Sequence, residues 1–187
     1  APVFSIARRG LPGAVVSGFN GILNSTTNLI LTRMEAGETQ EEAIAYAQSI
    51  GIAETDPSGD VDGWDAAVKI SALATVLMDI PLIPEQVERT GIRSLTHDLI
   101  AEAAEMGLRW KLVCSAERDP NSPHGIRAVV QPQRVGPKSH LYNVEGTTAI
   151  LEISSDVLGK LTLIEENPST RTTAYGVLAD LLNIFSS

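Results

Sequence analysis

Between Gly51 and Lys69 five carboxylates, Glu54, Asp56, Asp60, Asp62 and Asp65, share nineteen residues with a single lysine. Like charges at that density resist burial unless a cation, a metal or a cationic substrate lies among them. The stretch therefore reads as a binding loop. Asp65 and Lys69 stand four residues apart, one turn along a helix. Two readings of that pair are open. One is a surface ion pair worth about 0.2–0.5 kcal/mol; the other is an acid/base pair positioned at the mouth of a site.

Other chemistries fit less well. Ser58-x-Asp60-x-Asp62-Gly63 has the outline of a calcium loop, but Ser58 fills its first ligand position. Lys69 falls where the bidentate glutamate belongs, and a cation there repels the metal. His97, His124 and His140 are scattered without the spacing of a zinc site. No metal is expected. A G-x-S-x-G elbow, a Walker loop and a Rossmann G-x-G-x-x-G are all missing, so a nucleotide-binding fold, if one is used, lies outside this sequence.

A formal charge of −9 over 187 residues argues against nucleic acid or an anionic membrane as partner, since both attract a basic surface. No apolar run approaches the roughly 18 residues of a membrane span. Nothing at the N-terminus has the layout of a signal peptide. The chain reads as one soluble, cytoplasmic domain covering residues 1–187. Cys114, the only cysteine, sits in an apolar strand-like run and reads as a buried inert thiol.

The elements that must position the acidic stretch follow from caps and periodicity. Residues 2–8 and 14–19 are β-branched or apolar runs around a Gly10-Leu-Pro-Gly13 turn, and two strands are expected. Asn24 or Ser25 can N-cap a helix through Leu29, Ile30 and Met34 that ends near Gly37. Its N-terminus is either a plain capping segment or a site for an anion such as a substrate carboxylate. Thr39 and Glu42 form a capping box for a helix that stops at Gly51. A third helix starts near Trp64, with Ala66, Ile70, Leu73 and Leu77 as its core face. Another spans residues 95–107. Strand-like runs follow at Leu108–Glu117, Ile126–Gln133, Thr147–Ser154 and Lys160–Glu165, and Thr172–Phe185 closes as a helix. Helices first and strands after predict an α+β fold, a mixed or antiparallel sheet with helices packed on one face.

Asn24-Ser-Thr-Thr-Asn28, followed by Ala47-Gln-Ser-Ile-Gly-Ile-Ala-Glu54-Thr-Asp-Pro-Ser-Gly-Asp60-Val-Asp-Gly-Trp-Asp65-Ala-Ala-Val-Lys69, resembles homoserine dehydrogenase. That family's pattern is N-G-T-T-N, then A-Q-x-x-G-Y-x-E-x-D-P-x-x-D-x-x-G-x-D-x-x-x-K. The similarity continues in Ala1-Pro2, Val144-x-Gly146 and Thr173-Ala174, and so spans nearly the whole chain. It implies the substrate-binding and dimerisation region of an enzyme that interconverts L-homoserine and L-aspartate 4-semialdehyde with NAD or NADP. The nucleotide-binding half, with the family's second lysine, would lie elsewhere, and the chain alone should not turn over. Carried over, Glu54 and Asp60 hold the substrate ammonium. Asp65 orients the hydroxyl end, and Lys69 serves proton transfer or polarises the carbonyl. Thr26 and Ser25 lie near the substrate, and Thr173 and Ala174 near the cofactor. A homodimer is implied, and no regulatory extension is expected after Ser187.

Three positions depart from the pattern. Ser25 replaces the motif glycine, Ile52 replaces a tyrosine, and Glu165-Glu-Asn-Pro-Ser169 stands where many members have a glycine-rich loop near the nicotinamide. They leave open a related enzyme acting on another small hydroxy acid. A reading of a different class is a non-catalytic domain that binds a cationic amino acid.

Overall fold

The centre of the molecule is a short glycine-containing strand, β1 (Val16–Ile22), flanked by β3 (Arg109–Arg118) and β5 (Ala149–Ser155), both antiparallel to it. A computed structural model describes residues 2–185. The expectations attached to Ala1 and Ser187 fall outside them. Glycine is required inside β1: a Cβ on Gly21 would lie 2.1 Å from the Ile150 carbonyl oxygen of β5. The sheet extends through β4 (Ile126–Val135) and β6 (Gly159–Glu165), with β2 (Glu88–Arg89) at one edge, in the order β2-β4-β3-β1-β5-β6. Only the β2–β4 pairing is parallel, which makes the sheet mixed. Pro132 sits inside β4 without penalty because β2 pairs only with Val129 and Val130 and leaves that edge open.

One face of the sheet carries the larger core. Phe19, Leu112, Cys114, Ala116, Ala128, Val130, Leu151 and Ile153 meet Ile30, Leu31, Ala66, Ile70 and Ala74 of the helices there. Those helices are α2 (Ser25–Glu35), α3 (Gln40–Ser49), α5 (Trp64–Met78) and α6 (His97–Glu105). Asn24 caps α2, Thr39 and Glu42 form the capping box of α3, and Thr96 caps α6. The expected α+β layering, with a mixed sheet and helices on one face, is what forms. Burial of Cys114 pushes its thiol up to about 12, which leaves it inert.

Residues 2–8 are not a strand. Val3–Gly10 form a helix, α1, whose Val3, Phe4 and Leu11 pack against the main core while Ala7 is buried. The spacing Val3, Ala7, Leu11 is helical, and the β-branched content misled because contacts with α5 and α7 (Thr170–Phe185) decide the outcome. Two further pieces carry no readable periodicity, the four-residue α4 (Ser58–Val61) and the two-residue β2. The apolar positions of α7 repeat as expected, but Val177, Leu178, Leu181 and Leu182 are exposed.

The other face of the sheet holds a smaller core of Ile22, Val113, Val135, Leu141, Val144 and Ile150. Lys111 is fully buried beside it and donates from Nζ to the Val144 carbonyl at 2.8 Å. Burial lowers its ammonium to about 8, although Glu35 and Glu145 act in the opposite direction. The unfolded chain holds that proton to about 10.4. Between those values the unfolded state binds more protons, so this lysine makes stability rise with pH. Urea unfolding from pH 7 to 10.5 should show wild type gaining up to about 3 kcal/mol relative to Lys111→Met. A pH-independent difference between the two would contradict this.

Candidate active site

The chain leaves β1 at Ile22 and turns through Leu23 and Asn24 into α2, and that turn is the hinge of the site. Asn24 is 3% exposed. Its Oδ1 accepts from the Thr27 N–H at 2.7 Å and from Thr27 Oγ1 at 2.9 Å, which fulfils the N-cap. Its Nδ2 donates to Asp60 Oδ1 at 2.6 Å and to Asp65 Oδ2 at 2.7 Å. Asp65 lies in the first turn of α5, where the free N–H groups of the helix favour a carboxylate. One turn on, Lys69 Nζ meets Asp65 Oδ2 at 2.7 Å and donates to the Leu23 carbonyl at 3.0 Å. The main chain, the amide and the carboxylate thus form one connected network.

These groups form the floor of an open cavity of about 570 Å³. Asn24, Ser25, Thr26, Ile52, Glu54, Asp56, Asp60, Asp65 and Lys69 line it, together with Thr147, Pro168, Ser169 and Thr173. The acidic segment is held by its backbone. Gln48 Nε2 donates to the carbonyls of Glu54 (3.1 Å) and Thr55 (3.0 Å), and Thr26 Oγ1 donates to that of Ile52 (3.3 Å). The hydroxyl and N–H of Ser58 hold the Asp56 carboxyl below its usual range, so it enters the cavity ionised.

Asp62 is drawn away from the cavity. It pairs with Arg93, whose hydrogen bond lowers its carboxyl, and its carbonyl accepts from Arg89. The Arg89 guanidinium in turn lies 3.8 Å over the Trp64 ring. That clamp fixes the chain on either side of Gly63.

Glu54, Asp60, Asp65, Lys69, Ser25, Thr26 and Thr173, all singled out from sequence, come together around this cavity. Ala174 does not line it, because one residue along α7 turns the side chain about 100° away. Glu165 and Glu166 are also outside the lining, and of that loop Pro168 and Ser169 reach the cavity. Asn167 adopts φ 49°, the left-handed conformation for which glycine is otherwise preferred and which asparagine tolerates. Asp56, one of the five clustered carboxylates of the acidic stretch, also lines the cavity, whereas Thr147 and the bridging amide of Asn24 were not legible. Asn28 braces Thr147 in the lining: its Nδ2 ties down the carbonyls of Gly146 (3.0 Å) and Thr148 (3.3 Å), which bracket Thr147.

The site is a carboxylate-lined pocket with a helix-borne Asp–Lys pair, where the chain leaves the central strand β1, and such a pocket does not by itself name a class of protein. Comparison with known proteins makes the class specific. The homoserine dehydrogenase family model matches residues 2–182. The NAD(+)-dependent homoserine dehydrogenase of Pseudomonas canavaninivorans is 36% identical over 186 residues, covering 100% of this chain and 52% of that protein. The homoserine dehydrogenase of Methanocaldococcus jannaschii is 33% identical over 187 residues, covering 100% of this chain and 53% of that protein. The crystal structure of a homoserine dehydrogenase from Thiobacillus denitrificans superposes with a TM-score of 0.89 at 31% identity, covering 98% of this chain and 42% of that one. A hyperthermophilic archaeal homoserine dehydrogenase mutant, solved in complex with NADPH, matches with a TM-score of 0.77 at 31% identity over 97% of this chain and 51% of that one. The chain belongs to the homoserine dehydrogenase family, and it spans about half the length of the curated relatives it matches.

Gly63 links α4 to α5 at φ 79°, and a Cβ there would lie 3.2 Å from Val130 Cγ1. Gly63→Ala is expected to cost about 1–2 kcal/mol, read by urea unfolding with Trp64 fluorescence. An unchanged midpoint would show that this turn does not constrain the start of α5.

Proposed function

We propose that this chain is the substrate-binding and catalytic part of an NAD- or NADP-dependent homoserine dehydrogenase. The reaction is L-homoserine + NAD(P)+ to L-aspartate 4-semialdehyde + NAD(P)H + H+. The observation that carries the reading is the Lys69–Asp65 contact of 2.7 Å on the floor of a cavity that also holds Glu54 and Asp60. A zwitterionic amino acid answers that floor, its ammonium lying between Glu54 and Asp60.

Asp65 and the Leu23 carbonyl occupy two of the three hydrogens Lys69 carries as an ammonium. The third is left for the substrate oxygen. In reduction this ammonium donates its third hydrogen to the aldehyde oxygen and polarises it; in oxidation the resulting amine, its other two hydrogens kept by Asp65 and Leu23, takes the hydroxyl proton back. The bound nicotinamide supplies the two-electron oxidant for the alcohol carbon. Pro168, Ser169 and Thr173 bring uncharged groups to the same cavity, a set that would hold the carboxamide and the positive ring of the oxidised form.

The rest of the dinucleotide belongs to a nucleotide-binding domain outside this chain. The exposed apolar residues of α7, from Tyr175 to Phe185, support a covering domain there, since that helix begins at the cavity wall. No helix among the described residues is long and apolar enough to cross a membrane, and a cytoplasmic enzyme of threonine and methionine biosynthesis follows from the reaction. The sheet face opposite the larger core carries a concavity of about 580 Å³ lined by Asn20, Ser115 and Gln133, which suits pairing of two sheets in a homodimer. A monomeric mass by light scattering at micromolar concentration would refute the dimer.

The test is turnover of L-homoserine by the full-length protein with NAD+ and with NADP+, followed by reduced-cofactor absorbance. Lys69→Ala should lower kcat by about a hundredfold or more. Asp60→Asn should raise KM for homoserine by about tenfold, the cost of one charged hydrogen bond. A folded full-length enzyme that ignores homoserine and oxidises another small hydroxy acid would overturn the substrate assignment, with Ile52 and Ser25 in the lining as the first residues to reconsider.

A further inference from the structure

Every hydrogen-bonding position of the Asn24 side chain is used. The two lone pairs of Oδ1 receive the N–H and the hydroxyl of Thr27, and the two hydrogens of Nδ2 go to Asp60 at 2.6 Å and Asp65 at 2.7 Å. Because the Thr27 N–H can only donate, the oxygen must face the helix and the NH2 must face the carboxylates. Two oxygens so close to one nitrogen lie within about 5 Å of each other. A helix cap alone would need only the Thr27 half of this arrangement.

We infer that Asn24 is a positioning residue: its one neutral amide holds the ammonium-binding carboxylate Asp60 and the acid/base partner Asp65 at a fixed separation. The inference rests on the homoserine dehydrogenase reading for the roles of the two carboxylates, and on geometry alone for their bridging. The amide sets Asp65, and Asp65 sets Lys69 at 2.7 Å. Leu23, the neighbour of Asn24, supplies the second contact of Lys69 at 3.0 Å. Substrate binding and proton transfer are therefore tied to one side chain whose hydrogen-bonding positions are all taken by the protein itself.

Serine and aspartate are both good N-caps. Asn24→Ser and Asn24→Asp therefore preserve the helix start while removing the double donor. In the full-length protein Asn24→Ser should keep the wild-type melting temperature within a few degrees, and both variants the wild-type KM for the dinucleotide. KM for homoserine should rise by about tenfold, because Asp60 loses its hold, and kcat should fall by about tenfold, because Asp65 and Lys69 shift. Asn24→Asp should be the worse, since it adds a third negative oxygen where a donor stood. Wild-type kcat and KM in two folded variants would overturn the inference and leave the reaction assignment intact.

A crystal structure of Asn24→Ser supplies a readout independent of substrate. The Asp60 and Asp65 carboxylates should move apart by about 1 Å or more once the shared donor is gone, and unchanged positions would overturn the bridging role. If wild type ignores homoserine, the reaction reading fails, and this comparison still decides the positioning of the two carboxylates.

Discussion

Repulsion among carboxylates is the constraint that the rest of this structure answers. Glu54, Asp56, Asp60 and Asp65 face one cavity, and one lysine faces them there. Two like charges about 5 Å apart repel by about 3 kcal/mol at an effective dielectric near 20, so the segment needs counterweights from the fold. They come from four sources: the Asn24 amide on Asp60 and Asp65, the Lys69 ammonium on Asp65, Ser58 on Asp56, and the N-terminus of α5 beneath Asp65. None of these neutralises Glu54. The residual negative charge leaves the cavity suited to a cationic group.

The scaffold explains why the counterweights stay in place. The turn from β1 into α2 is fixed on one side by sheet pairing to β3 and β5, and on the other by the capping geometry of Asn24. The acidic segment is fixed at its far end by Arg93 on Asp62 and by Arg89 between Asp62 and Trp64. Gly91 lets the chain pass so close that a Cβ there would lie 2.1 Å from the Val61 carbonyl oxygen. Between those anchors Glu54, Asp56, Asp60 and Asp65 are held at one cavity, as a preorganised site requires.

What the sequence disclosed was whatever is encoded locally. Asn24, the Thr39–Glu42 box and Thr96 mark helix starts through side chains that bond their own next turn, so the caps were readable residue by residue. The i,i+4 spacing of Asp65 and Lys69 placed that pair correctly for the same reason. The failures are tertiary. α1 is helical because Val3 and Phe4 pack on the main core, and that packing overrides a β-branched segment. β2 exists only as a partner for Val129 and Val130, and two residues carry no period. Asp60 and Asp65 lie 36 and 41 residues from Asn24, so an asparagine readable as a cap gave no sign of its second task.

A neutral amide at the hub suits the cationic group of the substrate proposed for this site. An arginine or lysine at position 24 could also hold two carboxylates together, with stronger bonds. It would cancel part of the negative floor and compete with the substrate ammonium for Asp60. An aspartate would keep the cap but drive Asp60 and Asp65 apart. Asparagine supplies two donors and no net charge, so the carboxylates are ordered without being neutralised. Under the proposed reaction the site would discriminate by charge as well as by shape: a hydroxy acid lacking the amino group would bring its carboxylate to an acidic floor with no ammonium to offset it. The same amide that fixes the geometry thereby preserves the negative field of the cavity.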